Sequence, residues 1–522
     1  MRGNATAERR PEAPAIGRRA VLRTAAIGGL VAGSGALSIL GDLTEAEAAS
    51  SFVPNDQDLH LLRRATYGPT PKALAGIRRM GTRTWLDHQL KPSSINDANC
   101  DALIRDRFPR LGWSIGQAMG NLDGGWDLMF DLGVASLARA AWSERQLFET
   151  MVDFWSNHLN VTNPSDTVWA TRHDYDRTVI RKHALGRFSD MLIASATHPA
   201  MMTYLNNADS TKYQPNENYG RELLELHSVG VDAGYSEEEM YNSALIMTGF
   251  GIDWDTYEFH YSPEYHHTGS VKVLGWQSNN ADADGYKMGL DYVRYLANHP
   301  STAERIATKL CERFVSDEPP ANLVHDLARI YRKSHTAIVP VLRELFGSSA
   351  FKASIGKKVR RPMQDIIATL RILDMRPDSG SGTDGLQGLY WMISDLGDTP
   401  MAWSQPNGYP DTADAWRSAG GSLGRWNSHM SLAAHWYPSD LGLPDLRKHL
   451  LPKALPKTHG GLLDVLARRL VFRPLSSRHE NALLGFLGLG ANAPLHEDSD
   501  AVNDGLASLV ALILDSPYFQ VR

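Results

Sequence analysis

The stretch NENYGRELLELHSVGVDAGYSEEEMYNSALIMTGF, residues 216–250, contains two helix patterns and the residues that separate them. A proline and a glycine bracket the first pattern, which favours a short helix. Ser236 and Glu239 form the S-x-x-E pattern of a capping box, which predicts a second helix running to about Thr248. Apolar residues recur at helical spacing along most of the chain after Asp58. The sequence therefore predicts an all-α, mostly helical fold.

Two further signals mark helix starts. Thr70-Pro71 places a capping residue before a proline at the first helical position. Ser301 and Glu304 form a second capping box, which predicts a helix running to about Phe314. Further helical patterns cover about 143–157, 177–196, 321–332, 339–346 and 358–373.

Strand character is scarce and is concentrated in one region. The segments Tyr257 to Tyr261 and Ser270 to Leu274 are rich in residues that favour strands, and they flank the polar turn SPEYHHTG. We predict that the two segments pair with each other. The result would be a small β-hairpin excursion near 257–275 in an otherwise helical chain.

The first 49 residues have the pattern of a twin-arginine export signal. Arg18 and Arg19 precede an apolar run from Ala25 to Leu40, and small residues suited to cleavage follow near Ala48 or Ala49. This pattern predicts the twin-arginine export machinery as a partner and a periplasmic or extracellular location after cleavage. No other stretch approaches the length of a membrane helix, so we expect no stable membrane span.

Residues 50–522 are expected to form a single helical domain. The loop 376–388, RPDSGSGTDGLQG, is rich in Gly, Ser and Asp. It either divides this domain into two helical parts or is a surface loop within one.

The charge composition argues against one class of binding partner. The 522 residues include 43% hydrophobic and 21% charged residues and carry a formal net charge of −6. Nucleic acid is therefore not expected as a partner, because binding a polyanion requires a basic surface. Cys100 and Cys311 are the two cysteines; they either pair with each other or remain two separate buried thiols.

The helix pattern of residues 216–230 carries its charged groups on one side. At 100° per residue, the acids and the arginine fall within an arc of about 140°, and the leucines lie opposite with His227. Arg221 is four residues from both Glu217 and Glu225, which is the spacing of an ionic ladder. The face is either such a ladder or a catalytic site. In a site, Glu217, Glu222, Glu225 and Arg221 would be catalytic, and Asn216 and Asn218 would bind substrate.

Dispersed residues have to supply any chemistry, because no HExxH, GxxxxGK[ST] or CxxC motif is present. His158 lies in FWSNHLNV, where it either stabilises a helix end or serves as a ligand or base. His267 lies in the turn EYHHTG. With Glu222 these histidines would make a mixed set suited to a divalent metal: zinc, iron or manganese.

The segment QPNGYPDTADAW, residues 405–416, is an irregular loop rich in Pro and Gly. Such loops either line binding clefts or cover cores. If this one lines a cleft, Tyr409, Asp411 and Trp416 are candidates for binding substrate.

Several motifs together resemble a known family, the bacterial domain-of-unknown-function family 1800. The resemblance extends from about residue 58 to the C-terminus and is carried by LLRRATYGPTP, FWSNHLNV, HPAMMTYLNN, NENYGRELLELHSVGVDAGYSEEEM, MTGF, HPSTAERIATKLCERFV and QPNGYPDTADAW. It implies an exported protein of one module, often found beside a sulfatase-like exported protein. It does not imply a reaction.

The family pattern can be carried over residue by residue. It matches Trp155, Asn157, His158, Asn216, Glu217, Asn218, Arg221, Glu222, Glu225 and His227. The chain departs from the pattern at His267-Thr268, where the family usually has His-Asp, and at Gly220, where it usually has alanine. The missing aspartate weakens a metal site that depends on this turn.

Three functions follow as hypotheses. The leading one is a metal-dependent enzyme, a hydrolase or oxidoreductase, that acts on an envelope or extracellular substrate with His158, His267 and Glu222 as ligands. The alternative is a non-enzymatic binding or assembly partner of a co-exported protein, such as the sulfatase-like one. The third is a carbohydrate-binding protein that uses an aromatic platform of Trp403, Tyr409 and Trp416.

Overall fold

Short helices joined by irregular segments dominate the computed structural model, which describes residues 52–121 and 125–522. The predicted export signal, residues 1–49, lies outside the described residues. The α-helices span Gln57–Ala65, Pro71–Met80, Thr82–Gln89, Ala98–Arg107, Ile115–Met119, Gly125–Trp142, Gln146–His158, Arg172–Tyr175, Phe188–Ala196, Pro199–Tyr204, Glu217–Glu222, Glu237–Ile246, Tyr286–Asn298, Pro300–Phe314, Ala321–Lys333, Ile338–Gly347, Ser349–Lys352, Pro362–Ile372, Asp384–Asp395, Ala419–Ala433, Leu446–Leu450, His459–Leu470, Ser477–Leu487, Leu506–Leu514 and Pro517–Gln520. The predicted mostly helical class is confirmed.

Two of the three predicted capping signals place a helix start correctly. Thr70 accepts a hydrogen bond from the backbone of Ala73, and Ser236 and Glu239 form the expected capping box. The predicted box at Ser301 is wrong, because the helix begins at Pro300 and His299 is its capping residue. Pro300, whose φ is already helical, occupies the first helical position, so the capping residue lies two positions before Ser301.

The predicted helix over residues 177–196 is also wrong, since the chain divides there. A π-helical turn spans Asp176–Arg181, and the next helix begins at Phe188. Between them, Gly186 accepts a hydrogen bond from Ile338 at 3.0 Å, and Phe188 donates to Thr336 at 3.0 Å. Pairing with a distant segment thus takes the backbone groups that a continuous helix would use.

The small β region was located correctly but paired incorrectly. Strand β1 (Phe250–Asp253) pairs antiparallel with β2 (Glu258–Tyr261), and β3 (Val271–Val273) pairs with β4 (Trp276–Ser278). The predicted partners therefore belong to two separate hairpins. Each segment pairs with its nearest neighbour along the chain, because a short turn closes at a lower entropic cost than the longer polar connection.

Two hydrophobic cores organise the described residues. One is built by side chains from Leu59 to Phe351. The other joins part of the helix Gly125–Trp142 to the helices that follow Pro362. Residues Phe52–Arg522 form one compact unit, so the two cores lie within the same body.

Consecutive arginines in the first helix bridge these cores. Arg64 donates to the carbonyl oxygens of Phe314, Val315 and Ser354 at 2.6 to 3.2 Å. Arg63 donates at 3.2 Å to the carbonyl oxygens of Val521 and Val471, on the side of the second core. Both side chains are buried, and their guanidinium groups satisfy backbone acceptors in both halves of the unit.

The predicted loop 376–388 ends earlier than expected, because a helix begins at Asp384. Backbone hydrogen bonds between Arg376 and Gly442 hold its first residue, and one side chain holds the residues that follow. Arg107 donates hydrogen bonds to the carbonyl oxygens of Asp378, Gly380 and Gly382. Cys100 and Cys311 are both buried free thiols. Among the described helices, none has the length and apolar character needed to cross a bilayer.

Candidate functional site

The NEN helix, which we define as Glu217–Glu222 with the π-helical turn Leu223–His227 that continues it, is held in place mainly through Asn216. The Asn216 side chain accepts from the backbone of Tyr219 at 3.0 Å and donates to the carbonyl oxygen of Leu205 at 2.9 Å. Asn216 thus caps the helix, a structural function. Asn218 and Glu217 are exposed.

Of the two contacts predicted for the ionic ladder, the one between Arg221 and Glu225 forms. Arg221 contacts Glu225 at 3.4 Å and Glu237 of the following helix at 3.1 Å. Glu225 also accepts a hydrogen bond from the Tyr235 hydroxyl at 3.1 Å. Arg221 therefore joins two helices at a partly exposed surface, where such pairs contribute about 0–1 kcal/mol.

Glu222 is the member of this face whose environment differs from an ordinary surface. Its side chain is half-buried, and burial, followed by the nearby Glu225 carboxylate, raises its pKa. It forms no hydrogen bond or ion pair with another described residue. Its neighbourhood includes Tyr204, whose phenol pKa is raised by burial and, in part, by Glu222.

Gly220 explains one departure from the family pattern. A Cβ atom at this position would lie 2.7 Å from the backbone nitrogen of Ala244, in the helix Glu237–Ile246. The two helices pack too closely for alanine unless one of them shifts. Glycine therefore permits the contact that carries Arg221 to Glu237.

The π-helical turn of the NEN helix accepts hydrogen bonds from side chains of two other helices. The carbonyl oxygen of Leu226 accepts a hydrogen bond from Arg305 at 3.4 Å. The carbonyl oxygen of His227 accepts one from Nε2 of His158 at 3.3 Å. π-Helical turns are often found at functional sites, and this one positions two side chains that belong to other helices.

His158 is held as a neutral imidazole. Since a carbonyl oxygen only accepts, Nε2 carries the proton, and Nδ1 is left buried with no hydrogen-bond partner in the described part of the chain. Burial, with smaller effects from Lys309 and Arg305, lowers its pKa well below the usual value. His227 is buried nearby, and burial lowers its pKa to about 3.

His267 lies in a different neighbourhood. Its backbone nitrogen donates to the Thr248 hydroxyl at 2.8 Å, and its carbonyl oxygen accepts from Asn280 at 2.6 Å. The adjacent His266 is buried and bonds to the Thr248 carbonyl oxygen and to the Asn280 side chain. The turn thus uses these histidines to fasten the β region to the helix Glu237–Ile246.

The structure does not bring the predicted metal ligands together. His158 contacts the π-helical turn, His267 contacts Thr248 and Asn280, and Glu222 faces Tyr204 and Glu225. Within residues 52–121 and 125–522, no group of three or more His, Cys, Asp or Glu side chains is arranged to hold a metal ion. The metal centre stays a prediction without a described ligand set.

Two motifs separated by about 250 residues interlock beside His158. The side chain of Asn157 donates to the carbonyl oxygen of Tyr409 at 2.7 Å and accepts from the Tyr409 nitrogen at 2.6 Å. Asn160 donates to the carbonyl oxygens of Trp403 and Gln405 at 2.9 and 2.8 Å. The asparagines of FWSNHLNV therefore shape the loop that contains QPNGYPDTADAW.

The aromatic side chains of this loop pack on one another. Ring centroids lie 5.0 Å apart for Trp403 and Tyr409, and 5.8 Å apart for Tyr409 and Trp416. The guanidinium of Arg361 covers the rings of Tyr409 and Trp416 at 5.4 and 5.8 Å, a cation–π geometry. Tyr409 is buried, and its hydroxyl donates to the Thr399 carbonyl oxygen. The open platform expected of a carbohydrate-binding protein is not formed.

Asp411 belongs to a charge network rather than to an open surface. Arg313 donates to Asp153 at 2.6 Å and contacts Asp411 at 3.3 Å, and only 1% of its side chain is exposed. Lys358 donates to the Asp411 carbonyl oxygen at 2.5 Å. Burial alone would raise the pKa of Asp411, but Arg313, Lys358 and Arg361 outweigh it and hold this pKa well below the usual range. The network is paired and forms a rigid wall.

These elements enclose a cleft of about 410 Å³. Its walls are the end of the helix Gln146–His158, the helix Pro300–Phe314 and the loop 403–412. The lining residues are Phe154, Asn157, His158, Lys309, Glu312, Arg313, Arg361, Trp403, Asn407, Gly408, Tyr409, Pro410, Asp411 and Thr412. Three predicted site residues, His158, Tyr409 and Asp411, therefore share one cleft, and the acids of the NEN helix do not line it.

Two titratable side chains in this cleft, Lys309 and Glu312, have shifted pKa values. Burial, followed by the nearby Arg305, lowers the pKa of Lys309 to about 8. Burial raises the pKa of Glu312, and Lys309 partly offsets this. Neither side chain forms a hydrogen bond or ion pair with a described residue. A poorly solvated amine beside another cation is a known way to obtain a reactive lysine.

Neither Lys309 nor Glu312 is among the residues predicted from the sequence to have a function. They lie in HPSTAERIATKLCERFV, a motif that was noted only for its family resemblance. The available signal was spacing, because Arg305, Lys309 and Glu312 follow one another at i, i+4 and i+7 on one face of the helix. A charged stripe of this kind is normally a solvated surface, and only the packed structure shows it facing a cleft.

The fold and the cleft together define a mostly helical protein with a lysine and a glutamate in a partly buried polar site. A family model described as "Protein of unknown function (DUF1800)" matches residues 60–521. The chain therefore belongs to this family, as its motifs suggested. Comparison with curated proteins returns no match, and neither does comparison with solved structures.

Proposed function

We propose that the protein is an acid–base hydrolase whose chemistry takes place in the 410 Å³ cleft. The observation that carries this proposal is that one cleft contains both Lys309, with a pKa lowered to about 8, and Glu312, with a raised pKa. Neither side chain bonds to another described residue. Residues with pKa values moved toward neutrality in a concave site are candidates for proton transfer.

In this proposal Lys309 is the general base and Glu312 the general acid. The neutral amine of Lys309 takes a proton from water as the water oxygen attacks an electrophilic carbon of the substrate. The protonated carboxyl of Glu312 gives its proton to the departing oxygen or nitrogen. Burial favours the uncharged form of each group, so it shifts both pKa values in the direction that this proposal requires.

The surrounding residues position this pair. Arg305 lowers the pKa of Lys309 and is itself held by the Leu226 carbonyl oxygen. Arg313 is clamped between Asp153 and Asp411. The Arg305 cation would stabilise negative charge that develops during hydrolysis, whereas the charge of Arg313 is already offset by its two carboxylate partners.

The proposed substrate lies outside the cytoplasm, in the cell envelope or beyond it. This part of the proposal rests on the twin-arginine pattern and on cleavage near Ala48 or Ala49, which lie outside the described residues. The export machinery is correspondingly the proposed transport partner.

The test is a hydrolysis screen with matched variants. Purified protein is assayed on nitrophenyl esters, nitrophenyl glycosides and peptide anilides. On the class that reacts, Lys309→Met and Glu312→Gln are each expected to lower kcat by about 10²- to 10⁴-fold. Lys448→Met and Glu344→Gln, at exposed positions, should retain the wild-type rate. Equal rates in all four variants, or no hydrolysis in any class, would count against the proposal.

Elemental analysis of the same preparations separates this mechanism from the metal-dependent one predicted from sequence. Near-stoichiometric zinc, iron or manganese that is lost in His158→Gln and Glu222→Gln would restore the metal hypothesis. If the metal content does not follow these variants while Lys309→Met abolishes turnover, the acid–base mechanism is supported.

A second candidate function, assembly with a co-exported protein, is favoured by an exposed aromatic surface. Trp391 is 49% exposed and lies 5.5 Å from Phe130, and Trp126, one turn before Phe130, is 63% exposed. Exposed aromatic clusters are common at protein interfaces. The test is co-purification with the co-exported sulfatase-like protein. Trp391→Lys should abolish it, and Tyr213→Lys, also exposed, should leave it intact.

A further inference from the structure

A second cavity, of about 210 Å³, lies away from the cleft. It is formed by residues 166–171, by the end of the HPAMMTYLNN motif and by the loop of the β1–β2 hairpin. Thr203, Asn206, Ala208 and Asp209 contribute from the motif side. The motif HPAMMTYLNN, which has no part in the proposed hydrolase site, therefore contributes residues to this cavity.

Aromatic rings form much of its wall. Trp169, Trp254 and Tyr257 all line it. The rings of Trp254 and Tyr257 lie 5.7 Å apart at 87°, so they present surfaces in two directions. Trp254 is 52% exposed, which is unusual for the largest apolar side chain.

The hairpin loop holds these rings in a defined position. The Asp253 carboxylate accepts hydrogen bonds from the backbone of Asp255 and Thr256 at 2.9 and 3.0 Å. The backbone nitrogen of Tyr257 donates to the Asp253 carbonyl oxygen at 2.7 Å. Tyr257 has a φ of 56°, which is rare for a bulky residue. The loop is thus organised before any ligand arrives.

The charge of the cavity is negative. Asp166 and Asp209 are exposed, and neither forms an ion pair or hydrogen bond with a described residue. Among the described residues that line the cavity, none is Lys, Arg or His. Arg172, next to Thr171 in the sequence, is buried and faces the ring of Tyr175. Two carboxylates therefore act on the cavity, and no cation among its described lining residues offsets them.

We propose that this cavity binds a small organic cation that carries an alkylated ammonium group. The faces of Trp and Tyr rings attract such cations, because the ring quadrupole is negative above its plane. The two carboxylates add long-range attraction for the same charge. A neutral ligand would gain only ring contact, and an anion would be repelled. The cavity volume suits a compact ligand of the size of choline.

The test compares choline with 3,3-dimethyl-1-butanol, which has the same shape but no charge. Protein labelled with 5-fluorotryptophan is titrated and followed by fluorine NMR, with Trp254→Phe and Trp169→Phe used to assign the two resonances. Choline is expected to shift both resonances saturably, with an affinity at least about tenfold higher than that of the neutral isostere.

Variants make the comparison specific. Asp166→Asn and Asp209→Asn should each weaken choline binding and leave the weak binding of the isostere unchanged. Asp414→Asn, at an exposed carboxylate elsewhere, and Trp391→Phe should have no effect. Glucose and calcium chloride are titrated in parallel.

Several outcomes would overturn the proposal. They are equal affinity for choline and its isostere, saturation by glucose or calcium but not by choline, or choline shifts that persist in Trp254→Phe and Asp209→Asn. Because no step of this test involves Lys309 or Glu312, it does not depend on the proposed hydrolase function.

Discussion

Lys309 is a single residue that makes the free energy of unfolding depend on pH. Its pKa is lowered to about 8, first by burial and then by Arg305, whereas an unfolded lysine has a pKa of about 10.4. Between these values the unfolded chain keeps a proton that the folded chain has released. The free energy of unfolding therefore rises with pH in this window, by up to about 1.4 kcal/mol per pH unit from this group. Below pH 8 both states hold the proton, and the cost of the buried ammonium is fully present.

Replacing Lys309 by methionine should remove this dependence. We expect Lys309→Met to be more stable than the wild type at pH 7 by about 2 kcal/mol, and the gap to shrink steadily as the pH approaches 10. Urea unfolding at pH 7, 8, 9 and 10 measures it. Lys448→Met, at an exposed position, should follow the wild type at every pH. A stability gap that does not change with pH would show that Lys309 titrates normally.

At the scale of elements, the loop 403–412 depends on one glycine. Gly408 has a φ of 74°, and a Cβ atom there would lie 2.1 Å from the carbonyl oxygen of Asn157. Both the backbone conformation and the close approach therefore require glycine. The contact lies beside the two hydrogen bonds that join Asn157 to Tyr409, so the helix end and the loop form one interlocked unit.

Gly408→Ala should separate these elements. We expect a loss of roughly 2–4 kcal/mol of unfolding free energy, because the substitution combines an unfavourable backbone conformation with overpacking. Urea unfolding gives the free energy, and limited proteolysis should show new cleavage within residues 403–416. Gly420→Ala is the matched control, since nothing lies within 4 Å of the added Cβ atom. If both variants were equally stable, the interlock would not be significant.

At the scale of the whole molecule, the paired arginines of the first helix join the two cores. Arg64 binds three carbonyl oxygens on the side of the first core, and Arg63 binds two on the side of the second. Burial, followed by Arg522, lowers the pKa of Arg64, so its charge is costly and the hydrogen bonds have to compensate. Removing the guanidinium would leave three backbone acceptors without partners.

Arg64→Met should destabilise the whole unit. We expect a loss of about 3 kcal/mol, since the unsatisfied carbonyl groups outweigh the removal of a buried charge. Differential scanning calorimetry should show the main transition moving to lower temperature as a single peak, because the cores share this bridge. Arg79→Met, at an exposed position of the next helix, should leave the transition unchanged. Two separate peaks would show that the cores unfold independently.

Features of the fold that depend on interactions between residues close in sequence could be predicted, and those that depend on distant segments could not. The helix start at Ser236 was predictable because its capping box lies within four residues. The strands near Tyr257 and Ser270 were located from their composition, but their partners were not, since pairing is decided between segments. The break before Phe188 could not be foreseen either, because it arises from hydrogen bonds to residues 336–338, which are distant in sequence.

The candidate site shows the same difference between local and long-range interactions. His158 and Tyr409 were singled out from their motifs, and both line the cleft. Lys309 and Glu312 were not, because the shifts in their pKa values arise mainly from burial, which depends on tertiary packing. Asp411, about 100 residues away, adds to the raised pKa of Glu312. The acids of the NEN helix do not line this cleft, and sequence spacing alone does not distinguish an interhelix contact from a cleft.

The sequence by itself determined the helical class, the positions of several helices and membership in the family, because these follow from spacing, capping and motifs within short stretches of chain. Tertiary structure alone decided which side chains meet in the cleft, which face of the helix Pro300–Phe314 is buried, and which strands pair. The physical reason is that desolvation and charge pairing act between residues that are close in space, and these residues can be hundreds of positions apart along the chain.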